Sequence, residues 1–289
     1  MPPRDEIATI RYAKPLPLFK KEKPFTILSN LNAGENDPRR TNVELEDGEE
    51  QVIHDIRGRE AEFSLDTHGF QVAHHTTSVR KWNSARDIEE QYFGEVADLL
   101  RREMSSITEI HIFDWRLRRS APNAGDRVSK IDLNNNAHYL LPVTTAHIDQ
   151  TPRSVLSRVR RHLGERAEEL LRGRVRLVNV WRPIGHSVGD WPLALCDGTT
   201  VEPGDLLATD HITKSYVGET YNMLYREKYK WYYLSDQAPD EVLLFKMFDS
   251  SRQVEARWCP HAAFKHRAAS PDAPPRESIE VRALVFGNE

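Results

Sequence analysis

The second half of the chain constrains the fold most. It is a succession of short segments in which apolar and polar residues alternate, each closed by Pro, Gly or Asp. The segments are RVRLVNVWRPI (174–184), TTVEPGDLLATD (199–210), YKWYYLSDQAPDEVLLFKMFD (229–249), RQVEARWCPHAAF (252–264) and RESIEVRALVF (276–286). Period-two alternation rich in Val, Trp, Tyr and Phe predicts strands, and this many at short spacing predicts a closed or double-sheet antiparallel architecture. Two helices are predicted upstream. One is capped by Ser84, carries Ile88, Tyr92, Val96, Leu99 and Leu100 on one face and ends near Met104. The other spans 153–172, with an apolar stripe of Leu156, Val159, Leu163, Ala167, Leu170 and Leu171, and stops at Gly173. The expected class is therefore mainly β with flanking helices, a jelly roll.

Between these landmarks, EAEFSLDTHGFQVAHHTT suggests a hairpin around Asp66 to Gly69, with His74 and His75 on its second strand. Residues 107–120 and 138–149 read as strands, separated by a polar loop at 121–136. Residues 1–59 have little periodicity and many turn formers. They are read as a loop-rich N-terminal arm preceding a single β domain over 60–289, an arm loose enough to cross to a partner in a homodimer.

Composition narrows the function. Forty Lys and Arg against 44 Asp and Glu leave a net charge of −4, the wrong sign for a nucleic-acid backbone partner. No window approaches the length of a membrane-spanning apolar run, and the first residues hold no secretory apolar core. The expectation is a cytoplasmic protein with no membrane partner. Two cysteines, Cys196 and Cys259, supply no disulfide framework and no CxxC pair. Twelve histidines direct attention to metal or proton chemistry.

His147-Ile148-Asp149 is the only His-x-Asp/Glu in the chain, whereas composition alone would give roughly two, so the spacing by itself is weak evidence. On a strand, positions i and i+2 share a face, so the imidazole and the carboxylate can take one ion, with a distant His completing a facial triad. Gln150-Thr151-Pro152 then ends the strand and starts a helix. His261, in RWCPHAAF, lies on a strand able to return to the same sheet. Arg276 and Ser278 open the last strand on one face, where a guanidinium beside a hydroxyl suits a carboxylate. A metal triad and a carboxylate clamp together describe a site for 2-oxoglutarate.

The blocks NAHYLLPVTTAHIDQTP, NVWRPIG with WPLALCDG, KWYYLSDQAPDEVLLFKMFDS, PHAAF and PPRESIEVRALVF occur in order over about residues 136–286. In this the chain resembles the CmcJ/NvfI-type family of gibberellin-desaturase-like hydroxylases and desaturases, found mostly in fungal biosynthetic pathways. The resemblance implies a double-stranded β-helix enzyme using Fe(II), O2 and 2-oxoglutarate to hydroxylate, desaturate or cyclise a small-molecule intermediate of secondary metabolism. It also implies His147 and Asp149 as the first two iron ligands and, from the PHAAF block, His261 as the third. His266 remains the alternative, being closer to the usual His-to-Arg interval. For 2-oxoglutarate the resemblance and the strand pattern together offer Arg276 with Ser278, with Arg182 and Arg282 as competitors; Glu280 could neutralise Arg282.

Other features have ordinary readings beside the functional ones. His74 and His75, adjacent on a strand, face opposite sides and cannot easily share an ion. His186 and His211 are substrate contacts only if they lie at the site. Trp181, Trp191, Trp231, Tyr232 and Tyr233 read first as sheet packing. Two further function classes fit the same sequence: a jelly-roll accessory or binding protein without chemistry, and a metal-dependent enzyme that does not use 2-oxoglutarate.

Overall fold

The computed structural model describes residues 4–28, 39–82, 84–121, 135–213, 216–270 and 272–288. Two sheets carry the fold. In the nine-stranded sheet the order is Glu6–Ala8, Gln51–Asp55, Trp231–Tyr233, Leu193–Cys196, His261–Ala263, His147–Ile148, Val217–Met223, Leu206–Ile212 and Phe25–Ile27. In the five-stranded sheet it is Phe70–His74, Glu241–Asp249, Arg174–Pro183, Glu277–Gly287 and Ile107–Arg119, antiparallel throughout. This is the jelly-roll class that the alternation predicts.

The five-stranded sheet is apolar on both faces, for two different reasons. Leu177, Trp181, Leu243, Phe245 and Leu284 point inward and pack with Leu193, Leu195 and Ile148 of the other sheet. Val178, Val180, Val242, Leu244, Ile279 and Val281 point outward, where Val96, Leu99 and Leu100 of the Phe93–Glu103 helix cover them. The Ser84 hydroxyl caps the short helix Ala85–Asp87 by accepting from the Asp87 amide, and a π-helical turn, Ile88–Tyr92, carries it into Phe93–Glu103, where the stripe ends.

Several expectations need revision. The N-terminal arm is not an appendage. Gln51–Asp55 joins Trp231–Tyr233 and Phe25–Ile27 joins Leu206–Ile212, both in parallel, so the arm supplies strands to both edges of the nine-stranded sheet. Ile10, Tyr12 and Ile53 also pack over its outer face against Cys196, Trp231 and Phe264. These strands are paired within their own chain. These strands are short and irregular in pattern, three or five residues each, which is why local periodicity misses them.

The proposed hairpin has one strand only, Phe70–His74. Residues 60–69 instead form a 3-10 turn and a loop that ends at Gly69, whose φ of +89° and close approach to the Trp258 carbonyl exclude a side chain. The second helix covers Pro152–Leu163 and breaks at Gly164, with φ of +54°, before a short turn at Ala167–Leu170. The strand Val217–Met223 has no counterpart in the sequence reading. The polar loop at 121–136 falls largely outside the described residues.

One ionic cluster ties the inner strands together. Lys246 and Asp249 are fully buried, 2.7 Å apart, and Arg174 reaches Asp249 at 2.6 Å. Asp66, from the loop before Gly69, meets Lys246 at 3.0 Å. A buried ammonium is tolerated only while paired. Replacing Asp249 with Ala should therefore cost about 3–5 kcal/mol in urea unfolding; a loss under about 1 kcal/mol would mean that the cluster does not support the sheet.

Candidate active site

His147 lies on the two-residue strand between His261–Ala263 and Val217–Met223, opposite His261 on one side and Asn222 on the other. Cross-strand partners share a face, so the two imidazoles stand side by side with ring centroids 4.4 Å apart. The strand is steered by the arm, since the Ala146 amide donates to the Arg11 carbonyl at 2.8 Å. Asp149 follows at the strand end. Thr151 then caps the next helix by accepting from the Ser154 amide, with Pro152 in its first turn.

The three side chains suit one divalent ion. Their ligand atoms lie within 4.8 Å of one another, and His147 Nε2 is 3.5 Å from Asp149 Oδ1. Donors about 2.0–2.2 Å from a shared ion stand roughly 3 Å apart, so only small movements close the set. His147 Nδ1 donates to the Thr145 carbonyl at 2.8 Å, and His261 Nδ1 faces the Cys259 carbonyl at 3.4 Å, leaving both Nε2 lone pairs for a metal. Burial, with His147 beside it, pushes the His261 imidazole down to about 3, so it stays neutral. Burial alone would raise the Asp149 carboxyl; Arg282 and the two imidazoles outweigh it and hold the group well below the ordinary range, as a carboxylate.

Asp149 is also gripped from the opposite sheet. Asn179 Nδ2 donates to its Oδ2 at 2.7 Å, and Arg282 approaches Oδ1 at 3.3 Å and Oδ2 at 3.2 Å. Arg282 is shared with Asp114 at 2.8 Å and Glu280 at 2.7 Å. Arg282 is thus paired with three carboxylates, Glu280 among them. His266 is elsewhere, 3.3 Å from Glu6.

A small cleft adjoins the histidines, lined among others by Arg118, Trp181, Leu193, Arg276 and Glu280. Arg276 is fully buried over the Trp181 ring and spends one nitrogen on the Trp191 carbonyl at 2.7 Å. Its Nε and the buried Ser278 Oγ have no hydrogen-bond partner among the described residues. Burial, together with Arg118 nearby, brings the Arg276 guanidinium down to about 9, as expected of a cation that lacks an anion. An orphaned guanidinium donor in the cleft, with an orphaned hydroxyl two residues on along the same strand, fits a carboxylate.

Arg182 is not brought to this cleft. It pairs in register with Ile279, on the face covered by the helix, and its guanidinium is held by the Pro239 and His75 carbonyls and stacks on Tyr92. A one-residue step along the strand places Trp181 at the site and Arg182 away from it. His75 is thus a partner of Arg182, while His74 is exposed. His186 faces the carbonyl of its own neighbour Ser187. His211 is near enough to His147 and Asp149 to feel their charge, and burial lowers its basicity. Asn179, Asp114 and Arg118 were not singled out from the sequence; their only signal is the inward phase of their strands.

The comparisons with known proteins agree with this geometry. The family described as an oxidoreductase/YMDC permease-like domain matches residues 10–286. The Fe(II)/2-oxoglutarate-dependent dioxygenase nvfI of Aspergillus novofumigatus is 35% identical over 81% of this chain and 82% of its own. The chain belongs to this family of Fe(II)/2-oxoglutarate-dependent oxygenases. The hydroxylase/desaturase efuI of Hormonema carpetanum is 33% identical over 81% of this chain and 82% of its own. Among solved structures, the iron and alpha-ketoglutarate-dependent endoperoxidase NvfI superposes with a TM-score of 0.83 at 30% identity, over 99% of both chains. For this oxygenase, loosening the grip on Asp149 should weaken metal binding. Asn179→Ala and Arg282→Met should each raise the Fe(II) dissociation constant about 10–100-fold in anaerobic titration, and unchanged affinity would remove their positioning role.

Proposed function

We propose that this chain oxidises a small-molecule intermediate of secondary metabolism, with Fe(II) held by His147, Asp149 and His261 and the distal carboxylate of 2-oxoglutarate held by Arg276 and Ser278. The observation that carries this reading is Arg276, whose buried Nε has no partner among the described residues, in the cleft that His147 and His261 also line, with the equally unpartnered Ser278 Oγ two residues on along its strand. The iron, with 2-oxoglutarate and O2, supplies removal of hydrogen from an unactivated carbon, coupled to oxidative decarboxylation of the keto acid.

The chain's own residues bind, orient and exclude water. His147, Asp149 and His261 would hold the ion through three protein ligands, which would leave positions for cosubstrate and oxygen. Arg276 fixes the far end of the keto acid at a set depth, with Trp181 packed under its guanidinium as a dry floor. Arg118, half-buried with its Nη1 on the Leu141 carbonyl, adds positive charge to the same cleft. Whether hydrogen removal leads to hydroxylation, desaturation or ring closure is set by how the substrate is held over the metal.

A cytoplasmic setting without nucleic-acid partners accords with the net charge of −4 and with two buried free thiols. Among the described residues, no helix is long and apolar enough to cross a membrane.

The test is anaerobic addition of Fe(II) and then 2-oxoglutarate to the purified protein, read by the visible charge-transfer band of the chelated keto acid. Wild type should develop a saturable band, and His147→Ala, Asp149→Ala and His261→Ala should not. Iron binding without a band would favour a metal enzyme that ignores 2-oxoglutarate, and no iron binding would favour an accessory protein. Arg276→Gln should keep iron and raise the 2-oxoglutarate dissociation constant about 10–100-fold, the usual cost of a charged hydrogen-bonded pair.

A further inference from the structure

Next to Asp149, and not among the residues lining the Arg276 cleft, a second cation lacks an anion. Arg158 sits on the Pro152–Leu163 helix and donates its Nε to Gln150 Oε1 at 2.7 Å, one residue beyond Asp149. Its guanidinium carbon lies 4.8 Å from the centre of the Phe113 ring and 5.4 Å from that of Tyr216, between two aromatic walls. The acidic groups nearest in field, Asp114 and Asp149, are both paired with Arg282. Among the described residues the only hydrogen bond of Arg158 is the one through Nε, and the buried Tyr216 hydroxyl has no partner.

The strand opposite is shaped for this. Between the pairs Arg282↔Asp114 and Ala283↔Ile112 the ladder slips by one residue, so Phe113 is the extra residue of a bulge. Bulges re-aim a side chain, and this one brings Phe113 against His162 and Arg158. Arg161, one helical turn on from Arg158, stacks on Tyr216 at 4.8 Å.

We propose that Arg158, flanked by Phe113 and Tyr216, binds a carboxylate on the substrate, so that the substrates of this enzyme are organic acids with an apolar, ring-bearing body. The Nη edge of the guanidinium matches both carboxylate oxygens, and the flanking rings of Phe113 and Tyr216 suit the hydrocarbon beside the charge. The inference rests on the iron and 2-oxoglutarate assignment only in placing the reacting carbon near Asp149.

The test uses full-length protein loaded anaerobically with Fe(II) and saturating 2-oxoglutarate, with 2-naphthoate and its neutral analogue 2-naphthamide as probes and ligand NMR as the readout. Naphthoate should bind about tenfold tighter than naphthamide, the discrimination expected of one charged pair. Arg158→Gln should reduce the ratio to about two or less while the charge-transfer band persists, and Arg158→Lys, which keeps charge but loses the fork, should fall between. Equal binding of the two probes to wild type, or an unchanged ratio in Arg158→Gln, would overturn the proposal. So would loss of the band on adding naphthoate, which would put the probe in the Arg276 clamp. If no band forms in wild type, the 2-oxoglutarate assignment fails separately, and the probe ratio still decides the role of Arg158.

Discussion

The rest of the site depends on one buried ionic contact across the two sheets. Asp149 closes a strand of the nine-stranded sheet, and the groups that hold it, Arg282 and Asn179, come from the five-stranded one. A carboxylate taken out of water stands only where its charge is met and its oxygens are hydrogen-bonded. The contact therefore fixes the distance and register of the two sheets at the point where a metal would bind. His147 and His261 need no such arrangement, since each is oriented by a nearby carbonyl.

Four interior arginines show how the same side chain is used in opposite ways. Arg182 and Arg282 are spent, one on backbone carbonyls behind the sheet and the other on three carboxylates within it. Arg276 keeps a buried nitrogen without a partner beside the Trp181 ring, and Arg158 lies between Phe113 and Tyr216 with a single hydrogen bond, through Nε. A buried guanidinium nitrogen without a partner is a cost to folding that a bound anion can return.

Much of this was legible in the sequence because it is local. The alternation of 174–184 and 276–286, the Ser84 cap, and the spacing of His147 and Asp149 are all visible within a few residues. What was missed depends on partners far away in the chain. Gln51–Asp55 and Phe25–Ile27 are strands only because Trp231–Tyr233 and Leu206–Ile212 offer them an edge. Asp66 sits in a loop rather than at a hairpin because Lys246 and Arg174 attract it.

By itself the sequence determined the β class, the helix caps and which residue types could bind a metal, since backbone periodicity and capping act over one or two turns. Only the tertiary structure decided which histidine stands beside His147 and Asp149 and which arginine faces the cleft. His261 rather than His266 is in register with His147, and Arg276 rather than Arg182 or Arg282 faces the cleft with donors unspent. Those choices turn on strand phase and on which charges find partners across the sheets, and a shift of one residue along a strand reverses them.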